Sequence, residues 1–234
     1  MNLILFEPGE IASPLSRADS RAVHIEKVLK RAPGDLFDAG IVNGPRGKGR
    51  VVSVGSDGIV FEFEATTPTT PADPIDLLLA IPRPQTARKI LGEATALGVA
   101  SIRFFISEKG ERSYAESTLW RSGEWRRHLV EGAAQAFDTR IPEVTHFASL
   151  SEAIEGLPQG SQRIALDNYE ATRRMTPVGP GLAAILGFGP ERGWSAGERD
   201  LLRQKGFELA HLGTRVLRTE TAVVAAVAIA KAGA

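Results

Sequence analysis

The chain contains no cysteine. Disulfides, thiol nucleophiles, cysteine-ligated zinc and iron–sulfur clusters are therefore excluded. It also lacks net charge, because 28 Lys and Arg balance 28 Asp and Glu. Composition alone thus gives no argument for nucleic acid. Met1 to Phe6 has no basic residue and is too short for a signal peptide. The most apolar stretch, Ala222 to Ala230, falls far short of the roughly 20 residues that span a bilayer, and reads as a buried helix. No pair among His24, His128, His146 and His211 has metal-ligand spacing, so no metal is expected. The expectation is a cytoplasmic protein with no membrane partner. A length of 234 residues allows one large domain or two small ones.

Charge is distributed less evenly than its sum suggests. Between Arg21 and Arg50 lie seven cations and three carboxylates. Such runs are more often solvated surface than ligand sites. The segment Thr66 to Pro74 holds three prolines and four threonines, which cannot sustain a helix and donate few ladder hydrogen bonds. It is expected to be a linker between domains 1–70 and 74–234. Before it, Asn2 to Phe6, Asp35 to Ile41, Gly49 to Val54 and Gly58 to Glu64 read as strands. Ala22 to Leu29 reads as a short helix, and the whole suggests a small β-barrel. The segment Asn43 to Arg50 reads as a flexible loop with Arg46, Lys48 and Arg50 near its tip, either touching phosphate or simply exposed.

After the linker, strands and helices alternate. Asp76 to Ile81, Ser101 to Ile106, Arg163 to Asp167, Leu182 to Phe188 and Phe207 to Leu212 are strand-like. Helices are expected over Thr86 to Leu97, Glu116 to Phe137 and Leu150 to Gly156. Another starts at Ser195 with the capping box Ser195-Ala196-Gly197-Glu198, and a last one is capped by Thr219. The alternation predicts an α/β layer with a mostly parallel sheet.

Two glycine-punctuated turns follow the last two strands: Gly187-Phe188-Gly189-Pro190-Glu191-Arg192-Gly193, and Leu212-Gly213 continuing to Ala222. Paired loops whose backbone can approach a ligand suggest a cofactor pocket, and their charged residues suggest a polar substrate beside it. A dinucleotide fingerprint is excluded. Its third glycine would fall at Arg192, Pro190 sits where free amides are needed, and fewer than 50 residues follow. A P-loop is excluded because no Gly-Lys-Ser/Thr is present.

The same residues carry a resemblance. Gly189-Pro190-Glu191-x-Gly193-x-Ser195-x-x-Glu198, followed by Leu212-Gly213-x-Arg215-Val216-Leu217-Arg218-Thr219-Glu220-Thr221-Ala222, resembles the bacterial small-subunit ribosomal RNA uridine-N3 methyltransferases (RsmE-like) of the SPOUT superfamily. His24-Ile25-x-Lys27-Val28-Leu29-Lys30, Ala96-Leu97-Gly98-Val99 and Arg140-Ile141-Pro142-Glu143 extend it over nearly the whole chain. It implies a PUA-like RNA-binding barrel, followed by an α/β domain tied in a trefoil knot whose loops hold S-adenosylmethionine. It also implies a homodimer acting on ribosomal RNA.

By that resemblance the cofactor is held by Leu166, Asp167, Leu186, Gly187, Gly189, Pro190, Glu191, Leu212, Gly213, Val216, Leu217 and Thr221. Arg218 would stabilise the uracil anion or a phosphate. Glu191 and Glu220 are candidates for proton removal, Glu220 equally for a charge set against a helix dipole. His24, Lys27, Lys30, Arg46, Lys48, Arg50 and Arg215 are the expected RNA contacts. The chain departs from the family's Gly-Pro-Glu-Gly-Gly by placing Arg192 at the fourth position. Same-fold methyltransferases with another RNA target, and non-catalytic RNA-binding or assembly factors, are the rival readings.

Overall fold

The structure, a computed structural model, describes residues 3–233. The chain divides into two compact units, residues 1–71 with 130–141, and residues 72–129 with 142–234. The division expected at 1–70 and 74–234 thus misplaces one segment. Residues 130–141 group with the N-terminal unit because their polar backbone is satisfied there. Arg46 Nη1 donates to the Phe137 carbonyl at 2.7 Å, the Thr139 hydroxyl to the Gly44 carbonyl at 2.6 Å, and the Ile141 amide to Asn43 Oδ1 at 3.0 Å.

The N-terminal unit contains β1 (Ile4–Phe6), β2 (Leu15–Ser16), α1 (Ser20–Val23), β3 (Leu36–Ile41), β4 (Arg46–Gly55) and β5 (Gly58–Thr67). Asn2, expected to begin the first strand, lies outside the described residues. The strands form a curled five-stranded sheet in the order β1-β3-β4-β5-β2. Phe6, Phe37 and Phe61 meet in its core, with ring centroids 4.9 and 5.7 Å apart in successive pairs. The helix expected over 22–29 is instead α1 followed by a π-helical turn, His24–Val28.

The flexible loop expected at Asn43 to Arg50 is another correction. From Arg46 onward it is β4, paired with β3 and β5. Its glycines serve packing, since a Cβ at Gly49 would fall 2.3 Å from the Phe37 ring. Alternation then turns Arg46, Lys48 and Arg50 to the opposite face.

The C-terminal unit opens with β6 (Asp73–Ala80), so the expected linker shrinks to the residues between β5 and β6. Pro74, which lacks an amide, sits beside a register shift between Asp73 and Asp76, where a missing ladder bond is tolerated. There follow α2 (Pro84–Ala96), β7 (Val99–Phe105), α3 (Thr118–Arg121), α4 (Glu124–Gln135), β8 (Glu143–Phe147), α5 (Leu150–Ile154), β9 (Gln162–Leu166), β10 (Arg173–Arg174), β11 (Ala184–Phe188), α6 (Ala196–Gln204), β12 (Glu208–His211) and α7 (Thr219–Lys231). Every pairing in the seven-stranded sheet is parallel, in the order β10-β12-β9-β11-β6-β7-β8.

A parallel sheet covered on both faces demands unbroken apolar strands. Leu77, Leu78, Leu79 and Ala80 are all fully buried, and each leucine contributes about 1.5–3 kcal/mol. Pro84 occupies the first turn of α2, where its missing amide costs nothing, and Gly98 ends that segment at φ +80°. The capping box at Ser195 is formed, with Ser195 Oγ accepting from the Glu198 amide at 3.0 Å and Glu198 Oε2 from the Ser195 amide at 2.9 Å. The cap of α7 is Arg218 rather than the expected Thr219, with no side-chain hydrogen bond to the helix.

Candidate active site

The connections after β9, β11 and β12 leave the sheet at its carboxyl edge, where open α/β sheets bind ligands. Together with the start of α7 they enclose a cavity of about 200 Å³. Of the residues expected around a cofactor, Leu166, Asp167, Gly189, Pro190, Glu191, Leu212, Val216 and Leu217 line it. Asn168, Tyr169, Phe188, Gly193, Trp194, Thr219 and Ala222 line it too, without having been singled out in the sequence. Leu186 and Gly187 do not reach it, because they are interior residues of β11, paired on both sides. Gly213 and Thr221 lie outside its lining as well.

Each wall has a physical origin. Trp194 is buried, stacks on Phe105 with centroids 5.9 Å apart, and donates its indole N–H to the Leu166 carbonyl at 2.9 Å. A Cβ on Gly189 would sit 3.0 Å from the Trp194 ring, so this position accepts no side chain without displacing the indole. Asp167 forms a buried ion pair with Arg199, whose Nη2 is 3.5 Å from Oδ1, while the Tyr169 amide donates to the same oxygen at 2.6 Å. The carboxylate therefore shapes the turn after β9 and has little capacity left for a ligand. His211 Nδ1 accepts from the Gly213 amide at 3.1 Å and folds the last loop back. Among the described residues, the backbone amides of Leu212, Val216 and Leu217 donate to no protein acceptor.

The same geometry accounts for Arg192. The Gly193 amide donates to the Pro190 carbonyl at 2.8 Å, closing a four-residue turn. The left-handed φ, +70°, falls on Gly193 and not on Arg192. A turn of this kind tolerates any side chain at its third position, and the exposed Arg192 does not line the cavity.

A second, charged cavity of about 340 Å³ adjoins the first, and the two share Glu191 and Thr219. Its walls hold Arg83, Lys89 and Arg218 against Glu191 and Glu220. Lys89 Nζ is 3.0 Å from Glu220, and Arg83 Nε is 3.7 Å from Glu191. The Glu220 carboxyl is held below the usual range, first by its own backbone amide at the start of α7 and then by Lys89. It is a correspondingly weak base. Arg218 is exposed and makes no side-chain hydrogen bond or ion pair among the described residues.

The expected RNA contacts are not brought to these cavities. His24, Lys27 and Lys30 lie on or just after the π-helical turn, with Lys27 and Lys30 exposed. Lys48 pairs with Asp38 at 2.6 Å, Arg46 is held at Phe137, and Arg50 donates to the Gly34 carbonyl at 3.4 Å. Arg215 is exposed beside Val216.

A cleft between knitted loops at the edge of a parallel sheet, beside a charged cavity, is the setting of a group-transfer enzyme. The chain belongs to the RNA methyltransferase domain family, whose sequence model matches residues 68–231. Within it, the chain is 36% identical to ribosomal RNA small subunit methyltransferase E of Treponema pallidum, over 100% of this chain and 92% of that one. It is 29% identical to ribosomal RNA small subunit methyltransferase E 1 of Borreliella burgdorferi, over 97% and 95% of the two chains. Its fold matches a ribosomal RNA small subunit methyltransferase E from Neisseria gonorrhoeae, solved bound to S-adenosyl methionine. The TM-score is 0.78 at 24% identity, covering 97% of this chain and 95% of that one.

Proposed function

We propose that this protein transfers the methyl group of S-adenosylmethionine to N3 of a uridine in small-subunit ribosomal RNA. The observation that carries this reading is the pair of joined cavities: one apolar and bounded by free backbone amides, the other charged, sharing Glu191 and Thr219. The first fits the cofactor. Leu166, Phe188, Pro190, Leu212 and Leu217 offer apolar surface for an adenine ring. The unpartnered amides of Leu212, Val216 and Leu217 offer donors to its ring nitrogens, and Gly189 lets the backbone come close. When bound, the cofactor supplies an electrophilic methyl group on a sulfonium.

The protein's own residues act on the acceptor. N3 of uracil must lose a proton before it can attack, and the charge that develops needs a cation. Arg218, free of internal ion pairs, is assigned to that charge. Glu191, which lines both cavities, is assigned to the proton. Glu220 is assigned to holding Lys89 and the start of α7, because its depressed pKa and existing partners make it a poor base.

The same reading treats the N-terminal unit as a PUA-like domain that binds RNA through His24, Lys27, Lys30, Arg46, Lys48 and Arg50. Arg215 is assigned to RNA from the second loop. It treats the C-terminal unit as a trefoil knot. In support, the loop between β10 and β11 lies against the end of α7, with the Val178 amide donating to the Ala230 carbonyl at 3.2 Å. It takes the working form as a homodimer, because Val216 and Leu182 leave apolar surface 84% and 49% exposed. Ribosomal RNA as substrate places the protein in the cytoplasm.

Mass spectrometry of ribosomal RNA nucleosides from a deletion strain tests the reading. N3-methyluridine is expected to disappear from the small subunit and to return on complementation. An unchanged level would favour another RNA target.

A further inference from the structure

The carboxyl edge of the parallel sheet carries another cavity that the methyl-transfer reading does not use. Its volume is about 390 Å³, and Ile81, Ile106 and Phe147 bring it to the ends of β6, β7 and β8. Trp120 of α3, Trp125 of α4 and His146 of β8 supply aromatic walls. Phe104 and His146 are register partners, and their rings stack 5.5 Å apart at 18°. Trp120 meets the same imidazole edge-on, at 4.6 Å and 74°. Burial pushes the His146 pKa down, so at neutral pH the ring is uncharged.

Two further observations point to a ligand. The Trp120 indole N–H is buried with no hydrogen-bond partner among the described residues, and so are the hydroxyls of Ser107 and Ser117 in the same stretch of chain. Buried donors are normally satisfied, so an orphan beside a cavity calls for an acceptor. The segment bearing both tryptophans also presents Arg112, Arg121, Arg126 and Arg127, all exposed, against only Glu116 and Glu124. Glu124 is already engaged by Arg88 at 2.8 Å.

Aromatic faces, a donor lacking an acceptor and flanking cations together match an unpaired base on a phosphate backbone. An apolar peptide would use the rings but leave the donor and the arginines without a purpose. We propose that this cavity binds an unpaired RNA base bearing a carbonyl oxygen, uracil or guanine, close to the nucleotide that is methylated. The inference rests on the RNA methyltransferase reading. The glycine-lined cavity centres on β9 and the aromatic one on β7, three strand spacings away, or about 14 Å. That separation is within reach of one strand of RNA.

The test uses the full-length protein and a short single-stranded oligouridylate. Two of the three tryptophans line this cavity and Trp194 is buried, so binding is expected to quench tryptophan fluorescence. Trp125→Ala is expected to weaken oligouridylate binding roughly tenfold. Trp120→Phe keeps a ring but removes the N–H, and is expected to weaken binding roughly threefold. S-adenosylmethionine affinity, measured by calorimetry, is expected to stay at the wild-type value in both. Wild-type oligouridylate affinity in both folded variants overturns the proposal, as does the absence of quenching in the parent protein. Failure of the methyltransferase reading would look different: oligouridylate would still quench, but purified enzyme would form no N3-methyluridine in small-subunit RNA.

Discussion

The two units use their charges in opposite ways. In the N-terminal unit the well-placed cations hold the fold. Arg21 binds Glu10 and Asp19, each at 2.7 Å, and its guanidinium lies 5.0 Å from the Phe6 ring centroid. Arg46 and Lys48 are similarly engaged. In the C-terminal unit one ion pair, Arg199 with Asp167, is buried beneath the cofactor loops, while Arg215 and Arg218 stand free at the loop tips. The antiparallel sheet exposes one face, so its charges are placed along strands, where neighbours can neutralise them. The parallel sheet is covered on both faces, so its charges gather where strands end. Function concentrates at those ends for the same reason.

The largest effect expected from breaking this contrast is at Arg199. Arg199→Ala would leave the Asp167 carboxylate buried and unpaired, a loss of about 3–5 kcal/mol in denaturant unfolding. Arg218→Ala should do the reverse, sparing stability and cofactor affinity while lowering kcat about a hundredfold in a methyl-transfer assay. Gly193→Ala should cost about 1 kcal/mol and weaken cofactor binding, because φ is +70° and the new Cβ would lie 2.8 Å from the Tyr169 ring. Arg192→Gly, which restores the family's usual residue, should leave cofactor affinity unchanged by calorimetry.

In the N-terminal unit, the Arg21 guanidinium holds the carboxyls of Glu10 and Asp19 below their ordinary values. Depressed carboxyl pKa values stabilise the fold above the unfolded values, and that stability is lost as pH falls through the folded ones. Thermal melts from pH 6 downward should therefore converge for wild type and Arg21→Ala, with the gap of about 1 kcal/mol present only above pH ~4. Smallest is neutralisation of Arg46, Lys48 and Arg50 together. RNA binding should weaken a few-fold and its salt dependence flatten by up to three phosphate contacts. A salt series superimposable on wild type would confine these residues to a structural role.

Most of the α/β unit was legible because its signals are local and strong: Leu77 to Ala80, the Ser195 capping box, Gly98 after α2. The strand β8 was not, since Glu143, Thr145 and His146 interrupt the apolar pattern at a sheet edge. Nor was β4, whose glycines read as a flexible loop until Phe37 was seen to need the space. Leu186, Gly187, Gly213 and Thr221 were expected at the pocket from their closeness in sequence to residues that do line it. Strand pairing and helical rotation carry them elsewhere. Tyr169 and Trp194 gave no sequence signal, because single aromatics are common in cores.

The sequence by itself determined the class of fold, the family and the two loops that form the pocket. Each of these depends on local pattern, which survives in one dimension. Tertiary structure alone decided which loop residues face a ligand, that Arg192 is harmless where Gly193 is required, and that Glu220 is committed to Lys89. It also brought Trp120, Trp125 and His146 around one cavity. Those outcomes depend on strand order and register, which bring together residues distant in the chain and which no local periodicity records.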